Sequence, residues 1–326
     1  MKAMLMTKAA GPLVFSEVQK PVPGPRDILV RLHAAGVNPV DAKLHKRGTY
    51  YPENLPCILG LDGAGIVESA GPLVERFKPG DEVFFLEGGI GGVPGNYAEY
   101  AAVHEDFAAL KPAAISMAEA AAIPLVFITA WESLFDRACL APKQAALIHG
   151  GAGGVGHVAI QIAKYYGAKV AATVSGNEKA DFVKSLGADL VINYREKDFV
   201  SEVLEWSGGA DVVLDTVGGE TFYKSFGAAR IYGRIVTLLE PQCDSMKEAR
   251  NKNLCIGFEL MLAPMLYGLH DHRLNQRAML EAAVEMIGEG KLNIRVDKVL
   301  PLDRANEAHE IMEEGHGFGK IVLEIP

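Results

Sequence analysis

The apolar positions of this chain change their period partway along it. Over residues 1–120 they come in short runs: Ile28-Leu-Val-Arg-Leu-His-Ala-Ala35, Gly65-Ile-Val-Glu-Ser-Ala70, Glu82-Val-Phe-Phe-Leu86 and Asn96-Tyr-Ala-Glu-Tyr-Ala-Ala-Val103. Turn residues divide them, at Pro21-Val-Pro-Gly-Pro25, Gly71-Pro72 and Lys78-Pro-Gly-Asp81. Strand-length runs punctuated in this way predict a compact, partly closed β domain. From about Met117 the texture changes. Residues 117–123 and 127–140 predict helices. Strands at 145–148, 169–174, 190–192, 211–214 and 234–239 then alternate with helices at 155–166, 179–186, 199–206 and 221–228. That alternation predicts an α/β fold with a doubly wound parallel sheet of about six strands. Beyond Pro264 come two more helices, 275–288 and 303–314, and a last strand, 320–325. A terminal strand needs a sheet to join, so the C-terminal segment is expected to return to the first domain. The expected division is a substrate domain of residues 1–124 and 267–326 and a cofactor domain of residues 125–266, with a cleft between them.

The clearest chemical signal sits at the first strand–helix junction of the alternating part. Ala145 to Ile148 is a short apolar run, Gly151-Ala152-Gly153-Gly154-Val155-Gly156 is a G-x-G-x-x-G, and an apolar helical run follows until Gly167. The glycines permit a tight turn, close approach of the backbone to a pyrophosphate, and close helix–strand packing. The helix N-terminus offers free N–H groups and a positive dipole end. In this setting the motif predicts a dinucleotide site. The next strand ends in Ser175-Gly-Asn177 with Lys179 just beyond, where a ribose-binding carboxylate would serve NAD. A hydroxyl and an ammonium suit a 2′-phosphate, so the expected cofactor is NADPH. Thr216, Val217 and Leu238 close the following strands on the same edge and are expected cofactor neighbours.

Composition narrows the classes further. A length of 326 residues fits two domains, and a formal charge of −9 argues against nucleic acid as a partner. No apolar stretch is long enough to cross a bilayer, so no membrane partner is expected. The N-terminal residues read as a first strand and lack a signal-peptide cleavage pattern. The four cysteines, Cys57, Cys139, Cys243 and Cys255, are scattered, which reads as a reduced, cytoplasmic protein. His270-x-His272 is the only close His pair and reads as a solvated turn.

Several segments carry a family resemblance. They are Ala34-Ala-Gly-Val-Asn-Pro-Val-Asp41, Pro56-x-x-Leu59-Gly-Leu-Asp-Gly-Ala-Gly65, Phe77-Lys-Pro-Gly-Asp-Glu-Val83, Thr129-Ala130, His149 to Gly156, Val191-Ile-Asn-Tyr194 and Gly319-Lys-Ile-Val-Leu323. Over nearly the whole length the chain resembles the medium-chain dehydrogenase/reductase superfamily, and within it the zinc-independent, zeta-crystallin-like quinone oxidoreductases. The resemblance implies a GroES-like β-rich catalytic domain beside a Rossmann cofactor domain. It also implies assembly as a homodimer or homotetramer, with sheets joined edge to edge near residues 234–239 and residues 243–268 at the contact.

The departures from the zinc-dependent relatives are as informative as the matches. Those enzymes carry Cys where this chain has Asn38, Gly-His-Glu where it has Gly60-Leu61-Asp62, and a third ligand where it has Leu125. A catalytic zinc needs three N, S or O protein ligands beside an open position, so no metal is expected. The four-cysteine lobe is also missing. Without a Lewis acid, the acceptor must itself spread the charge that hydride transfer creates. The expected substrate is therefore a small quinone or activated alkene. An enoyl thioester or alkenal reductase and a non-enzymatic NADPH-binding protein are the alternatives.

The resemblance also assigns residues. Asn38, which precedes Pro39 and is at least a turn or helix cap, would point its amide at substrate or nicotinamide. Tyr50, in a Gly/Pro-rich loop with Tyr51, would donate a hydrogen bond on the substrate side. Thr129 would touch the nicotinamide ribose or amide. Lys179 and Tyr194 would clasp the 2′-phosphate, and Phe258 would lie beside the nicotinamide, with core packing as its competing reading. Asp41 reads as a cap or a buried ion-pair residue, and His149 and His157 as packed, neutral side chains.

Overall fold

The computed structural model describes residues 1–241, 245–315 and 317–326. The chain divides into two compact units. The first comprises Met1–Leu125, Ala263–Gly290 and Ile294–Pro326; the second comprises Val126–Leu262 with Lys291–Asn293.

The first unit opens with β1 (Lys2–Met6), β2 (Val14–Glu17) and the long β3 (Asp27–Val37), followed by α1 (Pro39–Arg47). Next come β4 (Cys57–Ile58), β5 (Asp62–Ala70), β6 (Glu82–Leu86), β7 (Tyr100–His104), β8 (Ala108–Leu110) and α2 (Met117–Ala121). Along β3, Ile28, Val30 and Leu32 are fully buried while Arg31 is exposed, the alternation of a strand with one face on a core. The strand pairs antiparallel with both β5 and β7, which sets the partly closed β architecture. Helix α1 begins where Pro39 fixes φ and Asn38 caps, and it ends in His45, Lys46 and Arg47, cations that suit the negative dipole end.

The second unit begins within α3 (Pro124–Trp131), which continues as a π-helical turn over Glu132–Arg137. Its strands are β9 (Ala145–Ile148), β10 (Lys169–Val174), β11 (Leu190–Asn193), β12 (Ala210–Asp215), β13 (Ala229–Thr237) and β14 (Cys255–Phe258). The helices between them are α4 (Gly154–Tyr165), α5 (Asn177–Ser185), α6 (Phe199–Ser207), α7 (Gly219–Ala228) and α8 (Lys247–Asn251). All six strands are parallel, in the order β11-β10-β9-β12-β13-β14. This is the doubly wound order that reverses at the first strand of the unit. Every residue of β9 is buried, as expected for a central strand covered on both faces. Leu147, Val213 and Ile235 of the sheet pack in one core cluster with Phe222 and Phe226 of α7.

The chain then returns to the first unit through α9 (Ala263–Leu266), α10 (His270–Gly288), β15 (Val296–Pro301), α11 (Ala305–Glu314) and β16 (Lys320–Glu324). Strand β16 pairs antiparallel with β3 and parallel with β15, so the last strand does join the first unit's sheet. The outcome differs from the apolar pattern in three places. The helix expected over 127–140 starts earlier and loosens into the π-helical turn. The sixth parallel strand, unassigned in the sequence, is β14. His270 and His272 lie in α10, not in a turn, and His270 pairs with Asp106 at 3.2 Å. Residues 242–244, including Cys243 of the expected subunit contact, lie outside the described residues.

Candidate active site

In the second unit, β9 delivers the chain into the glycine loop and α4 begins at Gly154, with Gly153 as its N-cap. Two contacts explain the glycines. A Cβ on Gly156 would lie 2.2 Å from the Gly150 carbonyl oxygen, and one on Gly151 would lie 2.9 Å from the Ala172 Cβ of β10. Any side chain would push helix and loop apart. The loop therefore presents the first N–H groups of α4 at the carboxyl end of β9, the geometry that suits a phosphate. Ala152 is buried beneath this loop, while Gly153, Gly154 and Val155 are partly exposed along it.

The other expected cofactor residues fall on either side of β9. Ser175 follows β10, and Lys179 lies in the first turn of α5. Tyr194 follows β11; its backbone N–H donates to the Val174 carbonyl at 3.1 Å, which fastens it beside the end of β10. Its side chain is half exposed. On the other side, the buried Asp215 carboxylate accepts from the Val217 and Gly218 N–H groups at 3.0 and 2.9 Å and from the Thr237 hydroxyl at 2.9 Å. Thr216 donates to the His149 carbonyl at 2.8 Å, and the Leu238 N–H donates to the Asp215 carbonyl. Thr216, Val217 and Leu238 thus sit at the ends of adjacent strands. Phe258 ends β14, one strand further out, and is 59% exposed, which removes the core-packing reading. The cradle, with hydroxyls and an ammonium at the ends of β10 and β11, fits a phosphorylated dinucleotide.

His149 is buried under this loop and fully hydrogen-bonded. Ser225 donates its hydroxyl proton to the Thr221 carbonyl, so it accepts from His149 Nε2 at 2.9 Å. His149 Nδ1 then accepts from Thr173 at 3.1 Å. Burial lowers its pKa to about 4, against the opposing charge of Asp215. His157 Nδ1 donates back to the Gly153 carbonyl at 2.8 Å, a structural role.

In the first unit, the chemistry-bearing residues form a cluster that the sequence reading only half anticipated. Asn38 Nδ2 donates to Asp62 at 2.8 Å, and its Oδ1 accepts from the Lys320 ammonium. Lys320 also donates to the Val37 carbonyl at 3.1 Å and lies 3.5 Å from Asp62, whose other oxygen accepts the Leu125 N–H at 2.9 Å. Asp41 accepts the Asn38 backbone N–H at 2.8 Å, closing the N-cap of α1. All four side chains are buried. Burial drives Lys320 below and Asp62 above their ordinary ranges, each opposed by the other's charge. Burial, then the neighbouring charge of Asp62, pushes Asp41 up to about 7.

Asn38, expected to point its amide at substrate or nicotinamide, is buried with one partner at each polar end of that amide inside the cluster. Asp62 and Lys320 were not among the expected site residues; the available signal was a lysine opening the apolar run Ile321-Val-Leu323, which a buried sheet tolerates only with a partner. Tyr50 is 38% exposed, and its hydroxyl oxygen accepts from Arg47 at 3.1 Å, which leaves its own proton available. Thr129 is buried in α3. The residues at the zinc positions of the relatives do not fit that metal. Asn38 and Leu61 provide no thiolate or imidazole, an ammonium already occupies the cluster, and no group of three or more His, Cys, Asp or Glu able to hold a metal occurs among the described residues. No described helix is long and apolar enough to cross a membrane.

Known proteins resemble this chain over most of its length. Residues 24–113 match the alcohol dehydrogenase GroES-like domain family, and residues 186–323 match the zinc-binding dehydrogenase family. The chain is 32% identical to a quinone oxidoreductase of Sus scrofa, over 99% of this chain and 97% of that protein. Among solved structures, it is similar to an alcohol dehydrogenase superfamily protein from Novosphingobium aromaticivorans, with a TM-score of 0.92 and 36% identity, each chain covered fully. It is also similar to Escherichia coli quinone oxidoreductase complexed with NADPH, with a TM-score of 0.88 and 30% identity over the full length of both chains.

Proposed function

Because this chain belongs to the medium-chain dehydrogenase/reductase superfamily of oxidoreductases, we propose that it reduces quinones and other conjugated, electron-poor acceptors with NADPH and without a catalytic zinc. The observation that carries this reading is the cradle of the second unit, where Ser175 stands in the place of a ribose-binding carboxylate and Lys179 and Tyr194 lie beside it. In this reading Gly151 to Gly156 and the N-terminus of α4 hold the pyrophosphate, and Ser175, Lys179 and Tyr194 hold the 2′-phosphate. Thr216, Val217, Leu238 and Phe258 line the nicotinamide side, and Thr129 orients the ribose or amide. When bound, the nicotinamide supplies hydride.

The protein's own contribution on the acceptor side is hydrogen bonding. Tyr50, oriented by Arg47, offers a phenolic donor to the acceptor oxygen. Asn38 is a positioning residue, held with Asp62 and Lys320 at the N-cap of α1. Preorganised donors are typically worth about 2.7–4 kcal/mol each. That suffices where the product anion is already delocalised, as in a quinone or enone, and a saturated ketone lacks this advantage. Among the described residues, strand β14 pairs on one side only, and its other edge supports assembly with a second copy by sheet extension.

The test compares a benzoquinone, an enone and a saturated ketone at equal concentration with saturating NADPH and a zinc chelator. The quinone and enone should be reduced faster, and Tyr50→Phe should lower kcat more than it weakens NADPH. Faster reduction of the saturated ketone, or loss of all activity with the chelator, would overturn the reading.

A further inference from the structure

Strand β11 lies at the edge of the second unit's sheet. Among the described residues it pairs only with β10, in a parallel register that sets Asn193 opposite Val174. One residue on, the Tyr194 N–H still donates to the Val174 carbonyl at 3.1 Å, and there the chain turns. The Asn193 side-chain oxygen accepts the Arg195 N–H at 3.2 Å. The Asn193 carbonyl accepts the N–H groups of Glu196 and Lys197, each at 3.0 Å. Asn193 thus ends the strand and fixes the backbone of Arg195 at the carboxyl end of the sheet, where ligands of open α/β folds bind.

The charges that follow Tyr194 are used differently. Lys197 pairs with Glu202 at 3.0 Å, and Asp198 caps α6 by accepting the Ser201 N–H at 3.0 Å. Arg195 is exposed, and its guanidinium has no ion-pair partner among the described residues. On the neighbouring segment, a Cβ added to Gly176 would meet nothing within 4 Å, so the backbone between Ser175 and α5 borders open space. Lys179 follows in the first turn of α5. The two segments therefore bring a hydroxyl and an ammonium from the end of β10, and a phenol and a guanidinium from the end of β11. Each also carries an exposed carboxylate, Glu178 and Glu196. The edge is balanced in charge, so discrimination between ligands there depends on direct pairing more than on long-range attraction.

We propose that Arg195 is a specificity residue of the nucleotide cradle, pairing with the cofactor's 2′-phosphate from the β11 side while Lys179 pairs from the β10 side. This assignment rests on the NADPH reading above and deepens it. A phosphate monoester carries a charge of about −1.5 to −2 at neutral pH, so a single ammonium leaves up to half of it unbalanced. A guanidinium supplies the second cation, and its planar fork donates two parallel N–H bonds to phosphate oxygens. With no carboxylate already holding it, Arg195 gives up no ion pair within the protein to do so. A ribose that ends in a 2′-hydroxyl offers neither the charge nor the paired acceptors, so Arg195 contributes to discrimination between the cofactors and not to binding of the shared adenosine.

Isothermal titration of the full chain with 2′,5′-ADP and with 5′-AMP tests this without turnover, because the two probes differ only in the 2′-phosphate. The unmutated chain should bind 2′,5′-ADP more tightly. Arg195→Gln should weaken 2′,5′-ADP about tenfold, the scale of a hydrogen bond between charged groups. Arg195→Glu should weaken it further. Both variants should hold 5′-AMP within about twofold, as expected for an exposed position. The tenfold loss should shrink as ionic strength rises from about 0.05 to 0.5 M, since an exposed charge is screened. Unchanged 2′,5′-ADP affinity in Arg195→Gln, or an equal loss for both probes, would overturn the role of Arg195 while leaving the cofactor reading intact. Equal affinity of the unmutated chain for the two probes would remove that reading and this assignment with it.

Discussion

At the scale of single residues, the nucleotide side and the acceptor side of this protein behave differently. Lys179, Ser175 and Tyr194 are at least partly exposed at strand ends, so their chemistry can be read from type and position alone. Lys179→Ala should weaken NADPH by about 1–3 kcal/mol, the usual worth of a hydrogen bond to a charged group, and leave NADH nearly unchanged. Fluorescence titration of both cofactors checks this, and equal affinities in the unmutated protein would remove the basis for the assignment. Asn38 shows the opposite case. The family resemblance suggested a donor to substrate, yet Asp62 and Lys320 each take up one end of its amide. Nothing local in Val37-Asn-Pro39 signals that, because the partners lie 24 and 282 positions away.

At the scale of elements, the β9–loop–α4 unit depends on backbone contact, and this makes a sharp contrast possible. Gly156→Ala places a methyl 2.2 Å from the Gly150 carbonyl oxygen, so the helix must shift away from the strand. Such overpacking typically costs about 1–3 kcal/mol, and the same shift should degrade NADPH binding. Gly176→Ala is the control, since its Cβ meets nothing within 4 Å and its φ of 173° is ordinary extended backbone. Thermal unfolding and cofactor titration on both variants should separate them; equal behaviour would mean that the close approach is not what the motif requires.

At the scale of the whole molecule, buried titratable groups couple stability to pH with opposing signs. His149 and His309 have folded pKa values of about 4 and about 3, below the ordinary histidine value near 6.5. Each contributes stability that is present above about pH 6.5 and lost as the pH falls toward the folded value, because the unfolded chain binds the extra proton. Asp41 runs the other way: at about 7 in the fold, its contribution is present below the unfolded carboxyl value and lost as the pH rises through 7. His309→Gln should therefore reduce the slope of unfolding free energy against pH by about 1.4 kcal/mol per pH unit between roughly pH 4.5 and 6. Urea denaturation of both proteins across that interval measures the difference, and parallel slopes would contradict the assignment.

The sequence by itself determined the features that depend on local periodicity and on backbone chemistry. Alternating strand-length runs marked the first unit. Strand–helix alternation marked the doubly wound sheet, and the glycine loop marked its phosphate cradle, because a tight turn and a helix N-terminus are built from consecutive residues. Five of the six parallel strands were legible for the same reason, while β14, four residues long and exposed or half-buried throughout, has no continuous apolar run to reveal it. Tertiary structure alone decided the rest. It placed Lys320 from the last strand against Asn38 and Asp62, and His309 against His45 and Tyr97. A buried charge or imidazole is stable only among partners that the fold brings from distant parts of the chain, and no spacing rule records which partners those will be.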